Sequence, residues 1–168
     1  LYAISWADKT RKIVSVTQEE KSIDKETALF KKAMKYFVQE NEVSRAYFIV
    51  RYLSDISDRE LFKNMSAMLQ SDYSYLVRDD VPPEGIKMLE HKLNQALSHI
   101  YDRRYDLAVV ECKDILGVEP NNILALTRLG SAYFGMDKRD EARALWKRVL
   151  ELDPQNAGVQ EFLKSDAA

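Results

Sequence analysis

Apolar residues recur along this chain every three or four positions, the spacing of one helical face, and rarely in strict alternation. From about residue 24 to 40 the recurring set is Phe30, Met34, Phe37 and Val38; from about 43 to 55 it is Ala46, Tyr47, Val50 and Leu53. Glu40-Asn41-Glu42 separates the two. A third stripe, Leu61, Met65, Met68, Leu69 and Leu76, predicts a helix reaching about residue 77, with Ser57 or Asp58 as its cap. Arg78-Asp79-Asp80-Val81-Pro82-Pro83-Glu84-Gly85 is the clearest break, because two prolines and paired carboxylates oppose helix continuation. Helices over about 84–101, 105–117, 122–135 and 139–152 are expected beyond it, then a short one from Ala157 to Lys164. Lys12 to Thr17 is rich in β-branched residues but has no partner strand, so it reads as extended chain. Thr17-Gln18-Glu19-Glu20 has the form of a capping box.

The later helices repeat one another at an offset of 34 residues: Ala108 and Ala142, Cys112 and Trp146, Pro120 and Pro154. Their turns match too, Asp102 to Ala108 against Met136 to Ala142, and Gly117 to Asn122 against Glu151 to Asn156. One such period holds two helices and two tight turns, a unit that buries its apolar face by stacking on its neighbours. In the second unit Leu126-x2-Leu129-Gly130-x2-Tyr133, then Ala142-x3-Trp146, then Pro154, resembles the tetratricopeptide repeat, with Leu126 where Trp is commonest. Gly130 and Ala142 lack bulk where two antiparallel helices approach most closely, and Leu129, Tyr133 and Trp146 fill the space around them. The first unit, roughly 88 to 121, keeps Ala96, Ala108 and Pro120 but carries Lys92, Gln95 and His99 where the family is usually apolar or aromatic. A fainter candidate spans about 27 to 58, with Phe30, Ala33, Met34 and Phe37 followed by Ala46, Val50 and Leu53. It is out of phase with the later array and reads as a helical hairpin, with a degenerate repeat as the alternative. The expected fold is all-α: a helix-turn-helix repeat array of tetratricopeptide kind with additional N-terminal helices. Residues 1–80 form the N-terminal helical region, and 84–168 hold two repeats and a capping helix.

The resemblance implies a noncatalytic adaptor or scaffold. In that family the first helix of each unit lines a concave groove, which takes a helical or extended segment of a protein or peptide partner. Transferred to this chain, the groove residues are Glu90, Leu93, Asn94, Leu97, Ile100 and Tyr101, then Leu124, Thr127, Arg128, Ser131, Phe134 and Gly135. The apolar members supply affinity, and Arg128, Asn94 and Glu90 set orientation. The subfamily that grips the acidic C-termini of heat-shock chaperones needs Lys and Asn where this chain has Leu93 and Leu97, which argues against that role. Leu89, Leu93, Ala96, Leu97 and Ile100 form the dominant stripe of their helix, and a contiguous stripe of this kind rarely stays exposed. Its expected cover is the chain's own N-terminal region or a segment of another protein. The alternative function is a structural, self-associating module, a homo-oligomer, or the soluble part of a membrane-anchored assembly factor.

Composition narrows the chemistry. The chain has 168 residues, and with 5 Gly and 4 Pro it is poor in linker composition and suited to helices. Its 25 basic and 27 acidic residues are interspersed and leave a formal charge of −2, so no nucleic-acid partner is expected. Cys112 is the single cysteine, which excludes an internal disulfide and a cysteine-based metal site; at a large-residue position it reads as a small hydrophobe. His91 and His99 stand two turns apart, too far for paired metal ligation at i, i+4, and no HExxH, phosphate loop or GxSxG elbow occurs. His99 takes the place of a Tyr and reads as packed and hydrogen-bonded, Asp79 and Asp80 as a solvated linker. No catalytic residue, cofactor or metal is expected. Leu1 to Ala7 is apolar with two aromatics, and Lys9, Arg11 and Lys12 follow. The segment reads either as the end of a missing membrane anchor or as chain packed on the helical body. Seven residues fall short of the roughly 20 that span a bilayer. Localisation stays open, the cytoplasm favoured over a membrane-anchored or periplasmic setting.

Overall fold

The computed structural model describes residues 23–165, whose regular structure is entirely helical. Helix α1 covers 23–38, α2 Val43–Ile56, α3 Glu60–Asp72 and α4 Ser74–Val77, with a 3-10 turn at Arg78–Asp80. Then follow α5 (Met88–Tyr101), α6 (Tyr105–Val118), α7 (Ile123–Gly135), α8 (Arg139–Leu152) and α9 (Ala157–Ser165). The expected extended chain at 12–17 and the capping box at 17–20 lie outside the described residues. Among the described residues no helix is long and apolar enough to cross a membrane. Two compact units divide between Asp79 and Asp80.

In the first unit α2 is the central element: Val43, Ala46, Tyr47, Phe48, Ile49, Val50, Tyr52 and Leu53 are all buried, more than one face of the helix. Phe30 of α1 meets Phe62 of α3 with ring centroids 5.6 Å apart, and Phe37 meets Tyr73 edge-on at 5.4 Å. These contacts correct the expected third stripe. Phe62, Ser66 and Leu69 are the buried residues of α3, while Leu61, Met68 and Leu76 stay exposed. The helix also breaks at Tyr73, whose ring is engaged by Phe37 and whose φ of −122° leaves the helical region. Neither Ser57 nor Asp58 caps α3; Arg59 stands at the N-cap without a side-chain capping bond, and Ser57 Oγ accepts the Arg59 N–H at 3.5 Å. The displaced residues Leu61, Met65 and Met68, with Phe30, Met34, Phe37 and Asn64, line a groove of about 570 Å³ between α1 and α3.

In the second unit α5 and α6, α6 and α7, and α7 and α8 pack as sequential pairs, α5 also touches α7, and α9 packs on α8. The first helix starts at Met88, later than the expected 84, because Gly85 takes φ +80° and the Ile86 N–H closes a turn on the Pro83 carbonyl at 3.1 Å. The 34-residue offset is reproduced bond for bond. Arg104 N–H donates to the His99 carbonyl as Lys138 does to that of Tyr133, and Asn122 and Asn156 accept from the N–H groups of Ala125 and Val159. Arg103 and Asp137 occupy the same left-handed turn position, at φ 58° and 59°. Asn41, equally placed before α2, has φ 54°, and the N-cap dihedrals of Glu42 (−93°, 69°), Arg104 (−89°, 63°) and Lys138 (−91°, 68°) nearly coincide. The α1–α2 hairpin thus turns as the two later hairpins do.

Candidate partner-binding groove

Helix register on α5 and α7 decides where the groove residues stand. Met88, Lys92 and Ala96 are the buried residues of α5; Ala125, Leu126, Leu129, Gly130 and Ala132 are those of α7. At Gly130 an added Cβ would run into the Trp146 indole, so the ring packs against the α7 backbone at a distance only glycine permits. Trp146 is buried in a cluster with Leu126, Ala142, Val149 and Val159, and Ala96, Cys112 and Leu129 form a second. Burial pushes the Cys112 thiol up to about 12, against the opposing charge of Arg128, which leaves it an inert hydrophobe.

Lys92 occupies an inward position that should be apolar. Its ammonium lies 3.0 Å from Asp80 and 2.6 Å from Glu111, and its side chain is 5% exposed. Burial is the largest single influence and lowers its pKa, but Glu111 and Asp80 together outweigh it and the net shift is upward. Asp80 is therefore no solvated linker residue: its side chain is 16% exposed and bonded into the array. His99 also departs from expectation, since its Nδ1 is buried with no hydrogen-bond partner among the described residues. No group of three or more His, Cys, Asp or Glu among the described residues is arranged to hold a metal.

With that register, the remaining face of α5 presents Leu93, Leu97 and Ile100 half-buried and Glu90, Asn94 and Tyr101 exposed. On α7, Leu124 and Phe134 are exposed and Thr127, Arg128 and Ser131 half-buried. The two rows are tied together where Arg128 Nη1 donates to the Leu93 carbonyl at 2.5 Å. Thr127 and Ser131 spend their hydroxyl protons on their own helix, on the carbonyls of Ile123 and Thr127. Gly135 serves packing: an added Cβ would strike the ring of Tyr105 at the start of α6. Sequence reasoning missed Phe162. It lies one period after Arg128, stacks on Trp146 at 5.1 Å and remains 46% exposed. The same offset that exposed the repeat would have found it.

Antiparallel helix pairs stacked at a fixed period define a helical repeat protein. Residues 99–164 match the tetratricopeptide repeat family, and the Gly130–Trp146 contact and the duplicated turns lie in that segment. It is similar to the peptidyl-prolyl cis-trans isomerase FKBP4 of Bos taurus, 28% identical over 102 residues, 61% of this chain and 22% of that protein. It is also similar to small glutamine-rich tetratricopeptide repeat-containing protein 2 of Saccharomyces cerevisiae, 30% identical over 104 residues, 60% of this chain and 29% of that protein. A zinc finger C3H1 domain-containing protein of Homo sapiens is 36% identical over 66 residues, 39% of this chain and 3% of that protein. The chain spans less than a third of the length of each. The family works in protein–protein interaction.

Proposed function

We propose that the chain is a noncatalytic adaptor whose α5–α7 face receives a helical or extended segment of a protein partner. The observation that carries this reading is the apolar row itself. Leu93 and Leu97 on α5 are half-buried, and Tyr101 on α5 and Leu124 and Phe134 on α7 are exposed; none of them belongs to the two buried clusters. Apolar anchors in such a row supply affinity, while the polar members Glu90, Asn94, Thr127, Arg128 and Ser131 orient the guest. The shared turn geometry supports reading the α1–α2 hairpin as a degenerate repeat of the same kind. The test is a pull-down from native lysate with the wild-type chain and a Leu97→Glu, Phe134→Glu variant of unchanged helical circular dichroism. Partners captured by the wild type and lost from the variant are expected; identical partner sets would move the binding site off this face.

A second reading, self-association, draws on the apolar groove between α1 and α3. A mass that rises with concentration, and that Met65→Lys lowers, would favour it.

A further inference from the structure

We propose that the chain pairs weakly with a second copy of itself through the exposed face of α6, an assignment independent of the groove reading above. An internal comparison carries it. Helix α8 repeats α6 at the 34-residue offset, and Asp106, Leu107, Val110 and Lys113 stand where α8 has Asp140, Glu141, Ala144 and Lys147. All eight residues are exposed. On α8 the result is an ordinary solvated face, with Asp140 held by Arg143 at 3.6 Å. On α6 the two middle positions are large and apolar, and Leu107 and Val110 are left 40% and 43% exposed. Val109 takes the place of Arg143, so Asp106 lacks that local cation. The Lys113 ammonium lies 6.0 Å from the centre of the Tyr133 ring, and no carboxylate among the described residues pairs with it.

Charge placement selects the occupant of this face. Asp106 and Lys113 are seven residues apart, nearly two helical turns, so they share one edge of the face about 10 Å from each other. A second α6 laid antiparallel, about a two-fold axis crossing the helix between Val109 and Val110, sets Asp106 of each copy against Lys113 of the other. Leu107 and Val110 of both copies then meet beside these two ion pairs and lose their water. A parallel two-fold pair would instead leave each acid level with the other copy's acid, and each lysine level with its counterpart. The antiparallel contact uses the same patch on both copies and closes as a dimer. One helix face from each copy buries less than the roughly 1,200 Å² of a stable complex, so the dimer is reversible, with a dissociation constant on the order of 100 μM.

Sedimentation of the full chain from about 10 μM to about 1 mM tests this, and the mass is expected to rise towards that of two chains. Leu107→Glu gives α6 the residue that α8 already carries at the same position, and should weaken association more than about tenfold with unchanged circular dichroism. Met65→Lys, in the groove between α1 and α3, should leave association within about twofold of wild type. Asp106→Lys and Lys113→Asp should each weaken it about tenfold. An equimolar mixture of those two variants should recover it, because one copy then carries two lysines and the other two acids. A chain that stays monomeric throughout, association that survives Leu107→Glu, or a mixture that associates no better than its components overturns the assignment. Loss of association in Met65→Lys with none in Leu107→Glu also overturns it, and moves self-association to the groove between α1 and α3.

Discussion

Close approach makes Gly130 sensitive to a single methyl group. A Cβ there overlaps the Trp146 indole, and Trp146 is itself held by Leu126, Ala142 and Val149, so the clash has no free volume to relax into. Gly130→Ala should destabilise the chain by about 2 kcal/mol, read as a lower urea midpoint at constant slope. Gly158→Ala is the control: its added Cβ meets nothing closer than 3.8 Å, and a gain of about 0.5 kcal/mol from helix propensity is expected. Lys92 carries an electrostatic counterpart. Lys92→Met leaves Asp80 and Glu111 facing each other without their cation and should cost about 3 kcal/mol. Because the folded-state pKa of Lys92 lies above the ordinary 10.5, the ion group's contribution is complete below that value. It is lost as pH rises through the higher folded value. Urea titrations of wild type and Lys92→Met at pH 8 to 11.5 should therefore show a constant difference that shrinks only at the alkaline end.

At the scale of elements, α3 shows how a partner helix sets the buried face. Its sequence offers two overlapping apolar rows, Leu61, Met65 and Met68, and Phe62 and Leu69. Ring contact with Phe30 selects the second, and the first is left lining the groove. Phe62→Ala should cost about 4 kcal/mol as a core deletion, and Met68→Ala less than about 1 kcal/mol, in the same denaturation assay. Equal costs would mean that the face is assigned wrongly. The hairpin turns behave differently, since their geometry is local. Arg103 and Asp137 adopt the same left-handed conformation with unlike side chains, and Asn122 and Asn156 cap the following helices through identical bonds.

For the whole molecule, the 34-residue offset was enough to read the paired helices and matching turns beyond Met88, and the family match covers residues 99–164 of them. These are legible because they rest on short-range causes: helical periodicity, a missing Cβ, a capping amide, a proline that ends a helix. The same register lets Arg128 of α7 reach the Leu93 carbonyl of α5. What the chain pattern left open depends on which distant side chain arrives. Lys92 is acceptable inside only because Asp80, from before the helix, and Glu111, from the next helix, converge on it. Phe162 matters through its stack on Trp146. Periodicity along the sequence determined the repeat and its turns. The buried face of α3 and the charge balance around Lys92 were decided by tertiary packing, because each is a sum over neighbours that one-dimensional spacing does not contain.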